Sequence, residues 1–311
     1  MRFPFQLRDN KPFDAVGFGL NAVDHILVVP HFPQFDTKVK LLEHARCAGG
    51  QAATAMVTLQ RLGMTTAYAG RFGSDDEGRF GLDSLKEELV DLEFGEVMEG
   101  ARNQIAFIIV DQRNGERTII WDRDERLAYS AADAPVEIAA RGRVLHLDAH
   151  DPRACMRLAQ AARSAGTIVS SDIDNVYEGL TDLLPLIDIL ISSRHLPHRV
   201  TGISDERASL VEMKARFGCA IVGMTLGARG SLVYFDGQFL ETPGYEVPGG
   251  CRDTTGAGDA FHGGFLYGLL QGEDLETSLR LANGTAALKC RGLGARASLP
   301  DRNELNHLLK I

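Results

Sequence analysis

Along most of this chain, short apolar runs alternate with longer stretches whose apolar residues recur at helical spacing. Ala15-Val16-Gly17-Phe18-Gly19-Leu20-Asn21 reads as a buried first strand that ends in a polar turn, with Asp24 just beyond. After the break at Gly49-Gly50, Gln51 to Leu62 is predicted as a helix closed by Gly63. Thr66 to Gly70 then reads as a strand and Glu77 to Glu88 as a helix. Val144 to Asp148, Thr167 to Asp172, Ile187 to Ser192, Ala220 to Thr225 and Gly230 to Phe235 read as further strands. Pro152 to Ala165 is a helix ended by Gly166. This alternation predicts a doubly wound α/β core, with a mostly parallel sheet flanked by helices.

Two segments break the rhythm. His25 to Pro30 and Lys38 to Ala45 are extended runs with partial alternation, as suits a one-sided sheet. Ile105 to Val110 and Arg117 to Trp121 flank Asn114-Gly115, a hairpin-like pair. The expectation is one domain over residues 1–311, with a small β-sheet lid drawn from about 25–48 and 103–121.

Composition narrows the partners. At 311 residues, with 44% hydrophobic and 24% charged content, the chain suits one large core. A net charge of −9 argues against a nucleic-acid partner, though a pocket can be locally positive. The five cysteines (Cys47, Cys155, Cys219, Cys251, Cys290) are dispersed without metal spacing, which reads as reduced thiols in a cytoplasmic protein. Met1 to Asp14 has no apolar stretch of the signal-peptide kind, and no apolar run reaches the roughly 18 residues of a membrane span.

The densest chemistry lies in Asp253-Thr254-Thr255-Gly256-Ala257-Gly258-Asp259, between the extended Tyr245-Glu246-Val247 and an apolar helix over 260–270. Small residues let backbone N–H groups converge, and the first helical turn adds unpaired N–H groups and a positive dipole end. Such a pocket suits an anion, and Asp259 beside it could take a proton from an attacking hydroxyl. Taken alone, a Gly-Ala-Gly-Asp string reads more readily as turn chemistry with a helix cap.

The whole sequence resembles the PfkB/ribokinase-type carbohydrate kinases. Two separated motifs carry the likeness. One runs from Ala48-Gly49-Gly50-Gln51 through Arg61-Leu62-Gly63 and on to Gly70-Arg71-Phe72-Gly73-Ser74-Asp75-Asp76-Glu77-Gly78. The other is Asp253 to Phe265. Within the family the chain looks most like the ketohexokinase and sulfofructose kinase types, and the tail over 286–300 looks particularly like the latter.

The resemblance implies a ribokinase-like fold and transfer of the γ-phosphoryl of ATP to a sugar hydroxyl. Asp259 would be the general base, and the backbone N–H groups of Gly256, Ala257 and Gly258 the anion hole, which fits a reaction dominated by positioning and charge stabilisation. Asp24, with Asn21, Gly49, Gly50, Gln51 and Thr54, would hold the sugar. Thr225, Gly227 and Gly230 would line the ATP phosphates and ribose, and Asn283 the adenine. Asp253, Thr255, Gly294 and Ser298 match a monovalent-cation site, so potassium joins magnesium as a candidate ion. Magnesium would arrive with ATP. In relatives such lids also pair, which implies a homodimer.

Some positions depart from the pattern. Gln51 and Thr54 stand where many relatives carry Lys or Asn and Asn, so the sugar cannot be carried over. The family's Asn-x-x-Glu falls at Ser193-Arg194-His195-Leu196, without the Glu. A sulfonate substrate would want a cation, for which Arg102, Arg123 and His150 are the candidates. A ketohexose is the first substrate expected. The alternatives are a nucleoside, with Phe32, Phe35 or Phe107 stacking the base, and a non-catalytic sugar-binding protein on this fold.

Overall fold

A computed structural model describes residues 1–310. Its large sheet grows from β1 (Phe13–Phe18), a run of apolar residues buried on both faces by flanking helices. Next come β2 (Ala22–Val29), β3 (Glu43–Gly49), α1 (Gln51–Arg61), β4 (Thr66–Gly73), α2 (Asp76–Glu87), β5 (Gly95–Met98), β6 (Ile105–Asp111) and β7 (Arg117–Asp122). The chain continues through α3 (Val136–Ala139), β8 (Gly142–Leu147), α4 (Pro152–Ser164), β9 (Ile168–Ser171), α5 (Leu180–Leu183), β10 (Ile189–Ser193), α6 (Leu196–Thr201) and α7 (Glu206–Phe217). It closes with β11 (Ile221–Thr225), β12 (Ser231–Phe235), β13 (Gln238–Thr242), α8 (Ala257–Leu270), α9 (Leu275–Lys289) and α10 (Arg302–Leu309).

Nine strands form the large sheet in the order β13-β12-β11-β10-β9-β8-β1-β4-β5. It is parallel from β11 through β5, and β12 and β13 add antiparallel. One face packs on α1, α8 and α9, through Met56, Leu59, Phe261, Phe265 and Leu279. The other packs on α3, α4 and α7, through Ile138, Leu158 and Leu210. Crossover helices on both faces are what parallel strands require.

A separate four-stranded sheet, β3-β2-β6-β7, forms the lid. Its β2–β6 pair is parallel and its other pairs antiparallel. Ile26, Val28, Ala106, Ile108 and Val110 give it a small core of its own.

Four details differ from the sequence expectation. The lid strand expected over 38–45 lies at Glu43–Gly49, because β2 pairs Ala22 with Gly49 and Val28 with Glu43, so Lys38–Leu42 mostly runs past the paired stretch. Tyr245–Val247 is loop rather than strand. Asp259 lies inside the first turn of α8, not before it. The unforeseen strands β5 and β13 are the two edges of the large sheet, where half-exposed residues leave no apolar run to read.

Candidate active site

A cavity of about 870 Å³ lies between the C-terminal ends of the parallel strands and the lid. Ligands of doubly wound sheets bind at this edge. Asp24, Gly50 and Gln51 meet it from one side, Thr255 to Asp259 from the floor, and Thr225, Gly227, Gly230 and Asn283 from the far end.

The glycine pair has a steric reason. Gly50 holds φ +95°, and a Cβ there would sit 2.3 Å from the carbonyl oxygen of Leu20. A Cβ on Gly49 would sit 2.3 Å from Oδ2 of Asp24, so the buried carboxylate fills the space that a side chain would need. Burial pushes Asp24 up to about 7, against the pull of Arg296. Asn21, Gly49 and Thr54 stand behind this wall. Asn21 donates to the carbonyl of Arg71 (2.7 Å). Buried Thr54 accepts from Nε of Arg296 (3.3 Å), whose other nitrogens reach the Gly49 carbonyl (2.5 Å) and Ser84 Oγ (3.0 Å). Arg296 thus ties the C-terminal loop to the first motif.

On the floor, Gly256 caps α8 at φ 76°, where a Cβ would lie 2.7 Å from Ala295. The Ala257 N–H is turned into the loop, donating to the Thr254 carbonyl (3.1 Å). Among the described residues no acceptor meets the N–H groups of Gly256, Gly258 or Asp259, so these remain for an anion. The loop is fixed from behind. Asp253 is completely buried and accepts from the N–H groups of Thr255 and Gly294, both at 2.8 Å.

Asp259 lies partly accessible at the bottom of the cavity. Burial first, then the neighbouring Asp172 charge, pushes its carboxyl up to about 8. Asp172 itself is held below the ordinary carboxylate value: burial raises it, but His262 (3.3 Å) and Gln51 outweigh that. His146 lies behind His262, ring centroids 5.1 Å apart, and burial keeps it neutral by lowering it to about 3. Gln51 also meets His150 (3.1 Å), which meets Tyr177 (3.0 Å).

At the nucleotide end, Gly227 (φ 61°) and Gly230 (φ 93°) turn the chain between β11 and β12. Asn283 donates to Ser231 Oγ and the Thr242 carbonyl, both at 3.2 Å, so its amide holds the wall that it lines. Leu196, at the place of the family Glu, is completely buried.

Over the cavity the lid presents Ala106, Ile108, Ile119 and Trp121, one face of the β6–β7 pair in which Ala106 opposes Trp121 and Ile108 opposes Ile119. Phe32, Phe35 and Phe107 are outside the cavity lining; Phe107 stacks on His25 on the lid's other face (5.2 Å). The lid hairpin touches the catalytic loop: Arg117 donates to Thr254 Oγ1 (2.6 Å), and Thr254 donates to the Gly115 carbonyl (3.3 Å). Of the cations considered for a sulfonate, Arg123 pairs with Asp151 (2.8 Å) and Arg102 with Asp122 (3.1 Å), while burial lowers His150 to about 4 and leaves it neutral.

Sequence reasoning missed Arg117, Asp172, His262, Lys289 and the tie made by Arg296. His262 falls within the second motif but carries no role there, and the others lie outside both motifs. Their partners come from other parts of the chain, and only an aligned pattern of burial could have hinted at them.

The fold is that of a family of phosphotransferases acting on sugar hydroxyls. Residues 14–302 match the pfkB family carbohydrate kinases, and the chain belongs to that family. The nucleoside kinase of Methanothermobacter thermautotrophicus is 28% identical over 297 residues, covering 94% of each chain, and further relatives are named ribokinase and fructokinase. A crystal structure of an Agrobacterium tumefaciens protein superposes with a TM-score of 0.87 at 28% identity, covering 95% of this chain and 97% of that one. Arabidopsis thaliana ribokinase complexed with ribose and ATP shares the fold at TM-score 0.81 and 24% identity, covering 97% and 99%. The protein is therefore a sugar or nucleoside kinase. Among the described residues no helix is long and apolar enough to cross a membrane.

Proposed function

We propose that this chain transfers the γ-phosphoryl of ATP to a primary hydroxyl of a furanose ring. One observation carries the reading: Asp259 and the open N–H groups at the start of α8 share a cavity floor, facing Asp24. Asp24 accepts hydrogen bonds from ring hydroxyls and sets the sugar so that its CH2OH points at Asp259. Asp259 takes the hydroxyl proton as the new P–O bond forms and the bond to ADP breaks. The N–H groups of Gly256, Gly258 and Asp259 stabilise charge on the moving phosphoryl. Thr225, Gly227 and Gly230 line the nucleotide end. Asp172 and Asp174 line the cavity and would hold, through water, the magnesium that accompanies ATP, which would offset charge on the phosphates. The lid covers the sugar and limits transfer to water.

A ketohexose remains one reading of the sugar. A second reading, a nucleoside, is favoured by the apolar lid wall, since Trp121 and Ile119 suit a base better than a bare polyol. The absence of a free cation at Arg102, Arg123 and His150 speaks against a sulfonate. The outward-facing Phe107 and Ile120 on the lid support a homodimer through that sheet. A cytoplasmic site of action fits the dispersed free cysteines.

An ATP-consumption screen over ketoses, aldopentoses, sugar phosphates and nucleosides tests the reading. Turnover on one class identifies it. Binding of sugar without turnover across the panel would leave a sugar-binding protein instead.

A further inference from the structure

Behind the anion-hole loop, beside the position matching the family's cation site, stands a side chain that the resemblance did not foretell. Lys289, the last residue of α9, is completely buried, and its Nζ donates to the main-chain carbonyl of Asp253 (2.8 Å). That carbonyl belongs to the residue expected to head the cation's ligands. The next residue, Cys290, accepts the Arg252 N–H through its carbonyl (2.9 Å), so the end of α9 grips the loop twice.

A buried ammonium is costly unless opposite charge surrounds it. Two sources are present. Burial lowers the Lys289 ammonium, and the buried Asp253 carboxylate, within electrostatic reach, offsets part of that. The C-terminal end of α9 carries the negative end of the helix dipole. A potassium ion set among Asp253, Thr255, Gly294 and Ser298 would have to share this charge with an ammonium already hydrogen-bonded there. The two cations would draw on the same Asp253 charge and repel each other. The residues present therefore do not suit a bound potassium ion.

We propose that Lys289 is a built-in cation, which takes the place of a monovalent metal ion in ordering the 253–258 loop and makes the site independent of potassium. Lys289 is a positioning residue in this scheme, since it reaches the loop from behind. The proposal rests on the kinase reading for its consequence, but its site can be tested without any sugar.

The test measures the thermal midpoint and ADP affinity of the full chain in potassium, sodium and tetramethylammonium chloride at equal ionic strength. The natural chain should give the same midpoint and ADP affinity in potassium as in tetramethylammonium. Lys289→Ala should bind ADP at least about tenfold more weakly in tetramethylammonium, the scale of one lost charge-assisted hydrogen bond. Potassium should restore it selectively, by filling the vacated space. Lys289→Met, which fills that space without charge, should show the loss without the rescue. Potassium-selective stabilisation of the natural chain, or an alanine variant indifferent to potassium, would overturn the proposal. Should the alanine variant fail to fold, the natural chain's salt series decides alone. If no ADP binding is found in any salt, the kinase reading fails, while the thermal midpoints still report on the cation site.

Discussion

The two halves of the site are built differently. The half carried by the large sheet is fixed at nearly every atom. Gly50 and Gly256 have no room for a Cβ, Asp253 is held by two N–H groups, and Arg296 spans three partners. The lid half is looser. Every residue of β7 is exposed, Trp121 at 60%, and few bonds such as Arg117 to Thr254 tie it down. Fixed donors serve a transition state that all members of such a family share. An exposed apolar strand can change its side chains without disturbing them. On the proposed reading, chemistry belongs to the sheet and substrate choice to the lid.

The hardest test of this division is Asp259→Asn. It keeps the shape and removes the base, so turnover should fall by about 10²–10⁴-fold while ADP binding persists. Steady-state kinetics and calorimetric titration with ADP check both halves of the statement. Unchanged turnover would remove Asp259 from the chemistry.

Next in size is Gly50→Ala. A Cβ 2.3 Å from the Leu20 carbonyl at φ +95° combines a clash with a strained backbone, and should cost roughly 2–4 kcal/mol in denaturant unfolding. The same change at Gly115 in the lid turn (φ +72°), where the Cβ would meet Cys251 Sγ at 3.2 Å and the Arg252 carbonyl oxygen at 3.4 Å rather than backbone at 2.3 Å, should cost less. Equal costs would blur the contrast between the two halves.

These two residues also mark what the sequence made legible. Asp259 and Gly50 sit in compact strings whose spacing survives without a structure, and the apolar rhythm gave the parallel core. The edge strands β5 and β13 escaped because an edge needs no continuous apolar run. The stacking candidates were misplaced for a related reason. Phe107 and Trp121 both lie on paired lid strands, and only the register, Ala106 opposite Trp121, decides which face looks into the cavity. Lys289 and Arg296 read as ordinary cations until the fold buries them against Asp253 and Gly49.

On the lid, Trp121→Ala should raise KM for a nucleoside by about tenfold, the scale of a lost aromatic stack, and leave kcat nearly unchanged. For a bare sugar the rise should be smaller. A fall in kcat equal to the Asp259→Asn loss would show that the lid takes part in the chemistry and end the separation.

The smallest effect is on stability, and its sign is the informative part. Burial raises Asp24 to about 7 and Asp259 to about 8 in the folded chain, against about 4 when unfolded. The folded state therefore binds these protons more tightly than the unfolded state. Their contribution is fully present below about pH 4 and is lost as pH rises through 7 and 8. Asn at position 259 cannot ionise, so the variant escapes its share of that loss. Relative to the natural chain, Asp259→Asn should gain stability progressively between pH 5 and pH 8.5, with most of the gain made by about pH 8. Thermal unfolding across this range measures the difference. The same carboxyl should make kcat/KM rise several-fold between pH 7 and 8, as the base loses its proton. Trp121→Ala carries no titrating group and should shift stability equally at both pH values. If Asp259→Asn showed no more pH-dependent gain than Trp121→Ala, the raised carboxyl would not be Asp259, and its place as the base would fall.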